Sequence, residues 1–182
     1  MRELMADRNA AEIEQLRNDI RILKDIEAIK RVKHAYFRCI DTANLTELRD
    51  LLHPHLRSKM VGGHYNLEFD NRDDYLEMIA NSFNSEFVGQ HNGHHPEIDI
   101  LSETEATGKW YLSDIAISLR NKSTTTGTAI YTDKYLKTGG LWQIIETGYF
   151  RIYETVTPTT EPPELTVHYL AAHGRKLPAV DA

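Results

Sequence analysis

Near residue 84 the hydrophobic repeat changes from the three-and-four spacing of helices to alternation, and four alternating segments then follow in succession. They are Glu97–Leu101, Glu105–Ile117, Gly127–Leu136 and Leu141–Glu154. Alternation places every second side chain on one face, so each segment reads as a strand with one buried side. Only Ser102-Glu103, Asn121-Lys122-Ser123 and Thr138-Gly139-Gly140 separate them. Such turns are too short for a crossover helix, so the strands are expected to pair antiparallel. Upstream, Ala10 to about Cys39 is helical in pattern: Ile13, Leu16, Ile20 and Leu23 lead into Ile26, Ile29 and Val32. Residues 1 to about 8 are expected to fray. A short helix, Thr46–Leu52, follows an Asn44 cap and stops at Pro54, and another runs from Asn71 or Arg72 to about Phe83. Gly62-Gly63 marks a turn between short strands at Arg57–Val61 and His64–Phe69. Helices first and long antiparallel strands afterwards predict an α+β fold, a cone-shaped curved antiparallel sheet (an α+β barrel) with helices closing its back. The open end of such a cone suits a small ligand.

Composition narrows the partners. A net charge of −6 argues against nucleic acid, which needs a basic face. No apolar run approaches the roughly 18 residues of a membrane span, and no leader sequence opens the chain, so a cytoplasmic address is the default expectation. Cys39 is the single cysteine, which excludes an internal disulfide and disfavours a zinc–thiolate site. Spaced His-and-carboxylate patterns for a metal are missing, so neither metal nor cofactor is expected. Gly62-Gly63 and Gly139-Gly140 lack the following helix that a phosphate-binding loop requires.

Candidate chemistry gathers around three histidines, His91, His94 and His95, in the stretch before the first long strand. Imidazole exchanges protons near neutral pH, which makes such a cluster a candidate for acid–base work. In Glu105–Ile117, Asp114 shares a face with Trp110 and Leu112. A carboxylate on an apolar face needs a partner, and His91 is the natural one; alternatively Asp114 marks the strand's wet end. Asp41 follows the apolar run Tyr36–Ile40, and is either a solvated helix end or a group reaching into the cavity. Arg151 falls on the face of Thr147, Tyr149 and Tyr153, where it is a surface residue or a binder of carboxylates and rings.

Several blocks resemble one family. Lys24–Lys30, Tyr36–Asp41, Gly93–Ile98, Ser102–Thr104, Ala106–Asp114, Tyr131–Tyr135 and Glu146–Glu154 are similar, in the same order, to the bacterial bile acid 7α-dehydratases. Those belong to the SnoaL-like branch of the nuclear transport factor 2-like superfamily, cone-shaped α+β proteins. Thr42–Gly89 and Ile115–Ala129 depart from the pattern. The resemblance places Tyr36, Asp41, His91, Asp114 and Arg151 on the family's active-site positions. It implies elimination of water, without metal or organic cofactor, from a substrate whose ketone acidifies a nearby C–H.

On that basis Tyr36 is assigned as hydrogen-bond donor to the substrate oxygen and His91 as proton shuttle, oriented by Asp114. Asp41 is the second acid/base group, and Arg151 anchors the substrate. Trp110, Tyr131, Tyr149 and Phe150 supply an aromatic surface for a polycyclic or diaryl alcohol. A hydroxysteroid with a conjugated ketone leads, with a lignin-type diaryl diol, an isomerase substrate or a passively bound ligand as alternatives. Residues 1–22 then form a helical extension, 23–155 the SnoaL-like domain, and 156–182 a proline-containing tail that becomes regular only over Leu165–Ala172. A homotrimer is expected, with a dimer as the alternative. Its motive is the Ile13-Leu16-Ile20-Leu23 seam together with outer-face Ile130, Ile144 and Ile152.

Overall fold

A computed structural model describes residues 2–178, apart from the side chains of residues 2–4 and 6. Helix α1 (Arg2–Asp41) is continuous, so the expected fraying is replaced by helix from Arg2 on; Met1 and residues 179–182 lie outside the described residues. It is followed by α2 (Leu45–Leu51), β1 (Leu52–Val61), β2 (Asn66–Phe69) and α3 (Arg72–Ser82). The strands β3 (Phe87–Ile100), β4 (Glu105–Ser118), β5 (Ser123–Thr138) and β6 (Leu141–Pro158) come next, and α4 (Tyr169–His173) closes the chain. Asn44 caps α2 by accepting the Glu47 N–H, and Asn71 caps α3 by accepting that of Asp74, as short polar side chains do at helix starts. At the β5–β6 hairpin Gly139 and Gly140 take φ of +59° and +84°, the left-handed pair that a two-residue turn of this twist demands.

The six strands lie in the order β2-β1-β6-β5-β4-β3. The long hairpins pair antiparallel as expected, but β1 runs parallel to β6, so the sheet is mixed rather than wholly antiparallel. The reason is connectivity. β1 enters the sheet from α2 rather than from a hairpin with β6, lying between β2 and β6, and a helical entry leaves strand direction free. The first long strand also starts ten residues earlier than its alternation shows, because a bulge between His94 and Glu97 breaks the repeat, with His95 at φ 52°.

Two further bulges in β6 decide which side chains face inward. Opposite Lys134 and Tyr135 the strand inserts Ile145; opposite Thr128 and Ala129 it inserts Ile152. Ile144 is therefore buried in the core, not on the outer face as its sequence position suggested, while Ile152 and Phe150 are exposed there and Ile130 is half-buried. Past the second bulge Tyr153 turns out to solvent and Glu154 turns in. A Cβ at Gly127 would meet the Tyr153 carbonyl, so the crowding of this bulge requires glycine opposite it.

The core fills the space between the sheet and the second half of α1. Ile29, Lys33, Tyr36, Phe37 and Ile40 face Trp110, Leu112, Tyr131 and Tyr135, with Tyr75 and Ile79 of α3 beside them. Among the described side chains, the first half of α1 buries nothing against its own sheet: Ile13, Leu16, Ile20 and Leu23 are exposed. The tail returns to the body, where the Ser85 N–H donates to the Arg175 carbonyl and Leu170 is buried. Among the described residues, no helix is long and apolar enough to cross a membrane.

Candidate active site

A cavity of about 370 Å³ opens inside the cone, between α1, α3 and the inner faces of β3–β6. Its surface is mostly apolar and aromatic, with Met60, Met78, Phe83, Leu112, Tyr131 and Tyr149 prominent, and His64, His91, Asp114, Arg151 and Glu154 also line it. This is the usual chemistry of a pocket for a hydrophobic small molecule.

His91 stands on one wall. Its Nδ1 is 2.6 Å from Asp41 Oδ1, and its backbone N–H donates to Asp41 Oδ2 at 3.0 Å. Asp41, the last residue of α1, thus grips β3 by main chain and side chain at once. A carboxylate accepts, so Nδ1 carries the proton and Nε2 is left unprotonated in the neutral ring. The ring also stacks on Phe37 at 6.3 Å, nearly parallel. Phe37 in turn lies flat over Gly93, where a Cβ would collide with it. Glycine there allows the ring to support the imidazole.

Tyr36 is fully buried at the inner end, its hydroxyl 2.5 Å from that of Tyr75. Burial, then the neighbouring Tyr131, push its phenol well above the usual range, so it stays protonated and serves as a donor rather than a base. Tyr131 and Tyr149 line the same cavity, their rings 5.0 Å apart.

Asp114 does line the cavity and is the cross-strand partner of His91 in register, yet it does not orient that ring. Arg151, two strands away, takes it in a bidentate pair at 2.5 and 2.8 Å. A planar fork matched to a carboxylate outcompetes one imidazole N–H, and Asp41 already holds the imidazole. The orienting role expected of Asp114 therefore falls to Asp41, and Asp41 is no free second acid. Arg151 is likewise not free to anchor a ligand. Its Nε lies 3.2 Å from the Tyr65 hydroxyl and 3.0 Å from Glu154 Oε2, so two carboxylates bracket one guanidinium. Burial works against its charge, but the Asp114 pair and then the Tyr65 hydroxyl hold the arginine further into its charged form than usual.

Trp110 is a second correction. It shares the face of Asp114 but sits deeper, beneath α1, fully buried, its indole N–H donating to the Tyr135 hydroxyl at 3.0 Å. The cone narrows in that direction, so a residue on the inward face there packs instead of lining. His94, half-buried, and His95, exposed, do not line the cavity, and their Nδ1 atoms lie 2.7 Å apart. Among the described residues, no three His, Cys, Asp or Glu side chains converge as a metal site would require.

Sequence reasoning missed the floor of the site. Lys33 and Asp133, both wholly buried, form an ion pair at 2.8 Å. Tyr135 and Thr147 donate to the same carboxylate at 2.7 Å each. The ammonium lies 3.8 Å from the Tyr131 ring centre and 4.4 Å from that of Tyr36, a cation against two aromatic faces directly under the cavity. The signal was there: Lys33 falls between Ile29 and Tyr36 on the helix's apolar stripe, and Asp133 between Tyr131 and Tyr135 on one strand face.

A SnoaL-like domain model matches residues 21–148, well over half of the chain. The chain belongs to the SnoaL-like family. The fold comparison agrees. A hexachlorocyclohexane dehydrochlorinase, LinA-type3 from Novosphingobium barchaimii LL02, superposes with a TM-score of 0.68 at 15% identity, covering 80% of this chain and 99% of that one. A putative scytalone dehydratase from Novosphingobium aromaticivorans DSM 12444 gives 0.67 at 19%, covering 80% and 99%. The Kfla4162 protein from Kribbella flavida gives 0.65 at 16%, covering 74% and 95%. At these identities the likeness is one of fold. This SnoaL-like chain is longer than those neighbours, and the family match begins at residue 21, after Ile13, Leu16 and Ile20 of the exposed seam of α1.

Proposed function

We propose that the protein is a lyase that removes a small group, water in the leading case, from a hydrophobic polycyclic or aromatic alcohol. The observation that carries this reading is the Asp41–His91 dyad on the wall of an apolar cavity, with the protonated Tyr36 hydroxyl at its inner end. An elimination needs a base for an acidic C–H, a donor for the oxygen that gains charge, and an acid for the leaving group. His91 Nε2 takes the C–H proton, and the electron pair moves towards the carbonyl, whose oxygen accepts the Tyr36 hydrogen bond. The C–O bond then breaks, and the imidazolium returns its proton to the departing hydroxide as water. The ring ends as it began, neutral and oriented by Asp41. Because one imidazole serves both steps, the C–H and the leaving group lie on the same face of the substrate.

The interior also bears on the substrate. With Arg151 taken by Asp114 and Glu154, the cavity offers no unpaired lysine or arginine among the described residues, so the part of the molecule held inside carries no anionic group. A cavity of about 370 Å³ lined by tyrosines suits a fused-ring or two-ring skeleton. A hydroxysteroid with a conjugated ketone is the first choice, any carboxylate tail projecting outside, and a lignin-type diaryl diol is the second. Two of the three neighbours, a dehydrochlorinase and a putative dehydratase, carry names of eliminating enzymes, which supports the reaction type.

Both substrate classes should be incubated with the protein and the products weighed by mass spectrometry. Loss of water supports dehydration, loss of formaldehyde the diaryl-diol variant, and unchanged mass with altered retention an isomerase. Asp41→Asn and His91→Ala should each reduce turnover by about 10²- to 10⁴-fold. Full activity in either protein, or tight binding of both classes without conversion, refutes the lyase.

A further inference from the structure

The N-terminal half of α1 carries an apolar seam that its own domain leaves bare. Ile13, Leu16, Ile20 and Leu23 are 51, 54, 51 and 63% exposed, although the helix is unbroken through them. Their spacing is that of positions a and d in a heptad, with isoleucine at both a positions and leucine at both d positions.

Charge decides what fits there. With Ile13 and Ile20 at a, Glu12 and Asp19 occupy the two g positions that flank the seam, and Arg17 and Lys24 occupy the two e positions. In a parallel pair of identical helices each g residue meets the e residue five places on in its partner. Both such contacts, Glu12 with the other copy's Arg17 and Asp19 with its Lys24, join opposite charges. In an antiparallel pair g meets g and e meets e, so acid faces acid and base faces base. The same four side chains that favour one orientation oppose the other. Isoleucine at a with leucine at d favours two strands over three.

Geometry leaves room for the partner. The face of α1 that docks on the domain is marked by Asp25, Ile29, Lys33, Tyr36 and Ile40. At about 100° per residue, the seam points roughly 150° away from it. A second helix lying on the seam meets no part of the first domain, and the two domains fall on opposite sides of the pair. Two heptads alone would be marginal, because an isolated short helix must nucleate. Here α1 is already nucleated by its docked half.

We infer that the protein is a dimer in which the Ile13–Leu23 stretches of two copies form a parallel two-stranded coiled coil, paired by Glu12–Arg17 and Asp19–Lys24 contacts. This inference is independent of the reaction catalysed. It replaces the expected trimer by a two-stranded assembly.

The test uses the full chain. Light scattering during size exclusion should give about twice the 20.9 kDa chain mass, and Leu16→Asp/Ile20→Asp should give a monomer with an unchanged thermal transition. Glu12→Lys/Asp19→Lys and Arg17→Glu/Lys24→Glu should each self-associate at least about tenfold more weakly, and equimolar mixing should restore a mixed dimer. Orientation is read from Ile13→Cys, which should crosslink to its own copy on mild oxidation; the native Cys39 is buried and does not compete. A monomeric wild type, a trimer, or a dimer that survives Leu16→Asp/Ile20→Asp overturns the inference. So does crosslinking of Ile13→Cys chains only to Leu23→Cys chains, the antiparallel signature.

Discussion

Replacing Asp133 by asparagine tests how the floor of the cavity is held. The substitution keeps the side chain's shape and removes the carboxylate that neutralises Lys33, a group with no solvent exposure. The ammonium retains Thr147 Oγ1 at 3.4 Å and the aromatic faces of Tyr131 and Tyr36, none of which carries charge. Breaking a buried pair by removing one partner costs about 3–5 kcal/mol. For a chain of this length that lowers Tm by roughly 6–20 °C. Burial already pulls the Lys33 ammonium below its usual range, opposed by Asp133. In Asp133→Asn that opposition is lost, so the folded state holds its proton less tightly still. The unfolded chain then binds more protons than the folded one between the depressed folded value and about 10.4, and stability rises with pH across that window. Urea denaturation at neutral pH and at about pH 9.5 reads both effects. A loss below about 1 kcal/mol, or a deficit that does not shrink towards alkaline pH, would refute the view that Lys33 is buried as a cation held by Asp133.

Four further outcomes are expected. Tyr36→Phe should lower kcat by about 10²- to 10³-fold with little change in KM, because it deletes a donor to charge that develops during reaction. The wild-type rate should show no alkaline limb from Tyr36, whose phenol is pushed well above the usual range by burial. Gly93→Ala should cost about 1–3 kcal/mol in thermal or urea unfolding, since Phe37 must leave its place over the strand; unchanged stability would show that the ring has room. The Cys39 thiol, pushed up to about 11 by burial, should resist aromatic disulfide reagents in native protein at pH 8 and react fully in denaturant.

The fold was legible wherever a repeat ran uninterrupted. β4 alternates without a bulge, and Ala106, Gly108, Trp110, Leu112 and Asp114 all face inward as their spacing predicts. β6 alternates by sequence too, but its inserted Ile145 and Ile152 shift the phase, so Ile144 was placed outside and Glu154 was overlooked. Period alone carries no mark of an extra residue. The site was legible in membership more than in partnership. His91 and Asp114 are indeed neighbours across two strands, yet which carboxylate an imidazole selects depends on what else reaches that carboxylate, here Arg151 from a strand far along the chain. Trp110 shows the converse limit. Its face was right and its depth was not, because depth in a cone is a property of the closed sheet. Lys33 and Asp133 lie 100 residues apart and reveal their pairing only when both stripes are known to meet.

The extra residue at Ile152 also changes how this pocket should be redesigned. Before it the wall advances by twos through Tyr149 and Arg151; after it the wall continues through Glu154 and Val156. A mutagenesis library drawn up by simple alternation would vary Tyr153, which points to solvent, and leave Glu154 untouched. Deleting Ile152 would remove the bulge without changing either face, because Arg151, Tyr153 and Glu154 already oppose the consecutive residues Ala129, Thr128 and Gly127. The positions that shape this wall are therefore 149, 151, 154 and 156, and substitutions aimed at ligand preference belong there.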